Sequence, residues 1–141
     1  MKIKLVILGI LAVLSLSLLA CSSAAAAESV ELSLDDFSSQ QDITREITVT
    51  AGDSFKITLP SNLTTGFSWS WPPQISDAAV LEMTEHAYVA PESEMMGAAG
   101  TEDWTFKALK KGTATISMDY SQPWEGGQKT DWTFKVTVTV K

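Results

Sequence analysis

Five apolar side chains at every second position close this chain: Trp132, Phe134, Val136, Val138 and Val140, interleaved with Thr133, Lys135, Thr137 and Thr139. Successive side chains of a strand point to opposite faces, so this segment buries one face and wets the other only as a β-strand. The same period recurs upstream. Val30/Leu32/Leu34, Ile47/Val49 and Phe55/Ile57/Leu59 form three runs, the last two separated by an Ala51-Gly52-Asp53 turn. Phe67/Trp69/Trp71 alternate with Ser68 and Ser70 until Pro72-Pro73, which cannot donate to a ladder. Val80 to Val89 is less regular and reads as one bent strand or two. Trp104/Phe106/Ala108 lead into a Lys110-Lys111-Gly112 turn, and Ala114/Ile116/Met118/Tyr120 return from it. No segment keeps a helical period for three turns. The pattern predicts an all-β fold, an immunoglobulin-like antiparallel β-sandwich of seven or eight strands, without the Cys…Trp…Cys spacing of true immunoglobulin domains. It also assigns Trp69, Trp71, Trp104 and Trp132 to the core and leaves Trp124 in a loop.

The first residues follow other rules. Lys2 and Lys4 precede an apolar run from Leu5 that ends in Leu18-Leu19-Ala20-Cys21. A basic start, an apolar middle and a small residue before the cut make a secretory signal peptide. Leu18, Ala20 and Cys21 also match the lipobox of bacterial lipoproteins, in which the cysteine is acylated. Cys21 is the one cysteine of the chain, so an internal disulfide is excluded. The expected division is a signal peptide over 1–20, a lipidated Cys21 with a Ser/Ala tether over 21–29, and one domain over 30–141. Extended, the tether reaches on the order of 20–30 Å. Polar Ser22 and Ser23 follow the apolar run at once, which disfavours a transmembrane helix. Removing Lys2 and Lys4 with the signal leaves 8 basic against 17 acidic residues, a net charge of −9. Nucleic acid is excluded as a partner, because phosphate binding needs a basic footprint.

Catalytic chemistry finds little to work with. His86 is the single histidine, and it falls in an alternating segment where a surface or edge-strand position is expected. Glu92, Glu94, Glu102 and Asp103 lie near one loop but lack calcium-loop spacing, so no metal is expected. No glycine-rich phosphate loop is present, and no cofactor is expected. The chain reads as a binding protein and not as an enzyme.

Three connections are unlike ordinary turns. Asn62-Leu63-Thr64-Thr65-Gly66-Phe67 sets two χ1-stiff threonines before a glycine able to reverse the chain, and is expected to present two hydroxyls in a nearly fixed shape. Pro91–Thr101 carries Met95-Met96, adaptable apolar side chains, before Gly97-Ala98-Ala99-Gly100. Gln122-Pro123-Trp124 sets an indole beside a proline in a loop that runs on through Gly126-Gly127, and tryptophan is enriched among interface anchors.

These three motifs, in this order and with Phe67-Ser68-Trp69 and Trp104-Thr105-Phe106 in register, resemble the chagasin-type inhibitors of papain-like cysteine proteases over roughly residues 45–140. Members of that family show Asn-Pro-Thr-Thr-Gly, Gly-x-Gly-Gly and Arg-Pro-Trp loops on an immunoglobulin-like sandwich. The chain departs at Leu63 for proline, Ala99 for the middle glycine and Gln122 for arginine. The resemblance implies a reversible inhibitor whose three loops enter the protease cleft side by side. Asn62, Leu63, Thr64, Thr65 and Gly66 would lie over the enzyme's catalytic pair. Gly97, Ala98, Ala99 and Gly100 would cover the non-primed side, with Gln122, Pro123 and Trp124 on the primed side. The expected partner is a papain-like protease, met by a monomer held to an extracytoplasmic membrane face through Cys21. The competing reading is a carbohydrate-binding or adhesive sandwich module, which would need coplanar tryptophans on one sheet face.

Overall fold

A computed structural model describes residues 28–141; the signal peptide, Cys21 and most of the expected tether lie outside those residues. The chain runs β1 (Ser29–Glu31), α1 (Leu34–Ser39), β2 (Asp42–Val49), β3 (Ser54–Ser61), β4 (Ser68–Trp69), β5 (Gln74–Ile75), β6 (Leu81–Val89), β7 (Gly100–Ala108), β8 (Gly112–Ser121) and β9 (Trp132–Val140). One sheet has the order β1-β3-β7-β6, the other β2-β9-β8-β4 with β5 also on β8. Alternation decides which side is buried. In β9 Phe134, Val136, Val138 and Val140 are buried, and they face Phe55, Ile57, Leu59, Trp104 and Phe106 of the other sheet in one continuous core.

The sandwich is the one the pattern predicts, with two refinements. Pro72-Pro73 break the segment after Phe67 into two two-residue strands, which raises the count to nine among the described residues. The N-terminal strands join parallel, β1 to β3 and β2 to β9, while the other pairs are antiparallel. The irregular Val80–Val89 segment is one strand with a register shift between Met83 and Glu85, the extra residue that upsets the period at an edge.

Two expectations fail locally. Leu34 does not continue the first strand, because α1 starts there. Ser33 backbone N and Oγ both donate to Asp36 Oδ2 at 2.7 Å, closing the first turn. One side chain of this short helix, Phe37, is buried and stacks on Trp132 at 4.8 Å. Trp71 is not core: its side chain is 60% exposed. Ser70 still exchanges bonds with Asp119, but the prolines interrupt the ladder, which resumes only at Gln74, and the indole turns out onto His86, ring centres 4.5 Å apart.

Candidate functional site

Strand register brings the three unusual connections to one end of the sandwich. Ser61, before the first loop, pairs with Gly100, after the second. Tyr120 and Trp132 pair at the base of the third, and Ser68 pairs with Ser121. Beneath them lies an aromatic floor in which Tyr120 stacks on Trp132 at 4.8 Å and on Phe67 at 5.4 Å, with Trp69 tilted against Tyr120.

Asn62 organises the face. Its backbone N donates to the Tyr120 hydroxyl at 2.9 Å, tying one sheet to the other. Its Oδ1 accepts from Thr64 N at 3.2 Å and Thr64 Oγ1 at 2.6 Å, and its carbonyl accepts from Thr65 Oγ1 at 2.7 Å. The result is a single 3-10 turn over Leu63–Thr65, closed by Gly66 at φ +78°. Its Nδ2 reaches across to Gly97 O at 2.9 Å and locks the second loop to the first. Both threonine hydroxyls therefore spend their protons inside the loop, and Leu63, Thr64 and Thr65 remain exposed around them. The expectation of hydroxyls offered outward is corrected to this extent: the shape is fixed, and the donors are what fix it.

The third loop leans on the first. The Trp124 ring covers Gly66 so closely that a Cβ there would come within 2.3 Å of it. Glycine is thus required twice, by φ and by the indole. Gln122 works as a strut: its Nε2 donates to Thr65 O at 3.3 Å and its Oε1 accepts from Gln128 N at 2.9 Å. Lys129 Nζ donates to the carbonyls of Gln122 and Trp124, at 2.6 and 2.7 Å, and closes the loop with a cation. Sequence reasoning missed Lys129 and Tyr120: Tyr120 acts on backbone 58 residues away, and no local pattern marks Lys129, which acts within its own loop. Pro123 and Trp124 stay in solvent, the indole 50% exposed.

The second loop is built differently. Ala98 N donates to Met95 O at 3.1 Å, and Gly97 takes φ +81° at the third position of that turn. Met95 and Met96 project outward, while Ala98 and Ala99 are half-buried. Gly100 belongs to β7 and is buried, where a Cβ would meet Val89 O at 2.2 Å. Of the residues singled out here, it alone lies off the exposed face and serves the sheet.

Below the loop stems lies a buried carboxylate. Glu102 accepts from Ser61 Oγ at 2.7 Å and meets His86 Nε2 at 2.9 Å. The carboxylate stands between serine and histidine, so the histidine has no serine proton to abstract, and the group is not a nucleophilic triad. His86 lies on edge strand β6, packed between Trp71 and Trp104. Among the described residues no three His, Cys, Asp or Glu side chains converge to hold a metal.

The family model described as chagasin family peptidase inhibitor I42 matches residues 48–138. The chain belongs to the chagasin family. It is 35% identical over 82 residues to chagasin of Trypanosoma cruzi, covering 57% of this chain and 74% of chagasin. Amoebiasin-2 of Entamoeba histolytica is 33% identical over 81 residues, covering 57% of this chain and 65% of that protein. The fold matches the crystal structure of the E. histolytica cysteine protease inhibitor EhICP2, with TM-score 0.65 at 22% identity, over 83% of this chain and 99% of that one. It also matches PbICP-C, solved in complex with falcipain-2, with TM-score 0.57 at 18% identity over 82% and 100% of the two chains. As a chagasin-family protein the chain is an inhibitor and not an enzyme.

Proposed function

We propose that the chain reversibly inhibits papain-like cysteine proteases by seating its three-loop face in the active-site cleft. The observation that carries this is the joining of the loops: Asn62 Nδ2 on Gly97 O, Gln122 Nε2 on Thr65 O, and the Trp124 ring on Gly66. A face so tied loses little freedom on association, which favours affinity. Leu63, Thr64 and Thr65 occupy the middle of the wedge, over the enzyme's catalytic cysteine and histidine. The Met95–Ala99 segment and Trp124 flank them on the two sides of the cleft. No peptide bond of the first loop needs to enter attack geometry, so the inhibitor blocks without being cleaved.

The carbohydrate-platform reading loses its material. Trp69 and Trp104 are buried, and Trp132 is stacked between Phe37 and Tyr120. Trp71 leans on an edge-strand histidine and Trp124 on the first loop, which gives no flat array on one sheet face.

The proposed address, export and acylation at Cys21 with residence on an extracytoplasmic membrane face, is supported by Lys2, Lys4 and the apolar run ending in Leu18-Leu19-Ala20-Cys21; the proposed state is a monomer. β1 enters beside Lys56 and runs parallel to β3 toward Ser61, so the first described strand starts at the end opposite the loops. An anchored molecule would then hold its wedge away from the lipid. Among the described residues no helix is long and apolar enough to cross a membrane.

The test is a titration of papain with the full-length protein in detergent. Competitive, stoichiometric loss of activity, with the inhibitor intact on a gel afterwards and trypsin untouched, is expected. Full papain activity at micromolar inhibitor would rule the reading out. For the anchor, Cys21→Ser should move the protein out of the membrane fraction, and an unmodified Cys21 in the wild type by mass spectrometry would exclude it.

A further inference from the structure

Four methionines lie among the described residues, and the fold treats them in two ways. Met118 is 1% exposed in the core and Met83 packs against that core. Met95 is 77% exposed and Met96 fully so, at the corner of the turn closed by Ala98 N on Met95 O. We propose that Met95 and Met96 are a selective, reversible oxidation site through which peroxides weaken inhibition. The proposal rests on the reading that this loop lies against the protease.

The chemistry needs only a peroxide. A thioether sulfur attacks one peroxide oxygen, the O–O bond breaks, an S–O bond forms, and the second oxygen leaves as water with the proton of the first. Sulfur loses two electrons and the peroxide gains them. Susceptibility follows exposure, so Met95 and Met96 react before Met83 and Met118, and sulfoxide reductases reverse the change.

The consequence is confined to the face. The bonds that shape the loop use the Met95 and Gly97 carbonyls and the Ser93 hydroxyl, which accepts from Met95 N, and none involves sulfur. Oxidation therefore leaves the turn and the core standing. It replaces an adaptable apolar contact with a polar oxygen that must be desolvated in the cleft without an assured donor, which is unfavourable.

The experiment treats the full-length protein with hydrogen peroxide, removes the excess with catalase so that papain's own thiol is spared, and measures three things. Peptide mass spectrometry should find one added oxygen on each of Met95 and Met96 before any on Met118. Papain inhibition should weaken by about tenfold with an unchanged melting temperature, and methionine sulfoxide reductase should restore it. The double variant Met95→Leu/Met96→Leu, whatever its own starting affinity, should lose none of it on peroxide treatment. Oxidation at both residues with unaltered inhibition, or an equal loss in the double variant, would overturn the proposal while leaving the protease reading intact. If the untreated protein fails to inhibit papain, both readings fall together.

Discussion

Trp104 and Trp124 carry the same side chain into two regions that use it in opposite ways. Trp104 is 0% exposed in β7, stacked with His86 at 5.1 Å, and its indole N–H finds no acceptor within the described residues. What it contributes is apolar packing. Trp124 is half in solvent, supported from below by Gly66 and held in position by a loop that Lys129 closes. Its contribution to the core is small, and its exposed area is free for a partner. The sandwich interior and the loop face are thus separable: one holds the domain together, the other is held ready by it.

Truncating each indole should break the molecule in a different way. Trp104→Ala should cost about 3–5 kcal/mol of stability, read as a lowered denaturation midpoint, with inhibition surviving wherever the variant still folds. Trp124→Ala should cost about 2 kcal/mol of affinity, about thirtyfold in Kd, with the melting temperature nearly unchanged. If Trp124→Ala unfolds the domain instead, the two regions are not separable and the third loop is part of the core.

Asn62→Ala sharpens the contrast from within the face. It removes the acceptor of Thr64 N and the donor to Gly97 O while leaving every core residue in place. A lost cap of this kind costs about 1 kcal/mol, so inhibition of papain should weaken roughly fivefold to tenfold as both loops loosen. Faster amide hydrogen exchange in both loops, and not in β3 or β7, would mark the cause.

The smallest effect lies in α1, which roofs the aromatic floor under the face. Hydrogen bonds from Ser33 N and Oγ hold the Asp36 carboxyl below its ordinary value. Such a group stabilises the fold above its unfolded-state pKa, and the stabilisation is lost as pH falls through the lower, folded-state value. The melting temperature of wild type should therefore exceed that of Asp36→Ala slightly at pH 7. The gap should shrink as pH drops below about 4; a constant gap would mean that Asp36 acts through packing alone.

Much of this was legible in the residues themselves. Period-two alternation is a local property, and burial of one strand face follows from it wherever the strand continues, as in β9. The three loop motifs, their order and the chagasin-family likeness were equally legible, because each motif is contiguous. Trp71 shows the limit: alternation assigns it inward, but alternation holds only while the ladder does, and Pro72-Pro73 interrupt it. Phe37 was hidden for a related reason, since six helical residues are too few to display a period.

By itself the sequence determined the strands, the side of each that is buried and the positions of the loops between them. Only the tertiary structure decided that Asn62 grips Gly97 across 35 residues, that Gln122 reaches Thr65 across 57 and that Trp124 covers Gly66. It also decided that Ser61 and His86 both meet the buried Glu102 side chain. Secondary structure is set by interactions between near neighbours, which a sequence displays in order. A composite face depends on which chain ends the two sheets bring together, and that is fixed only when the core between them has closed.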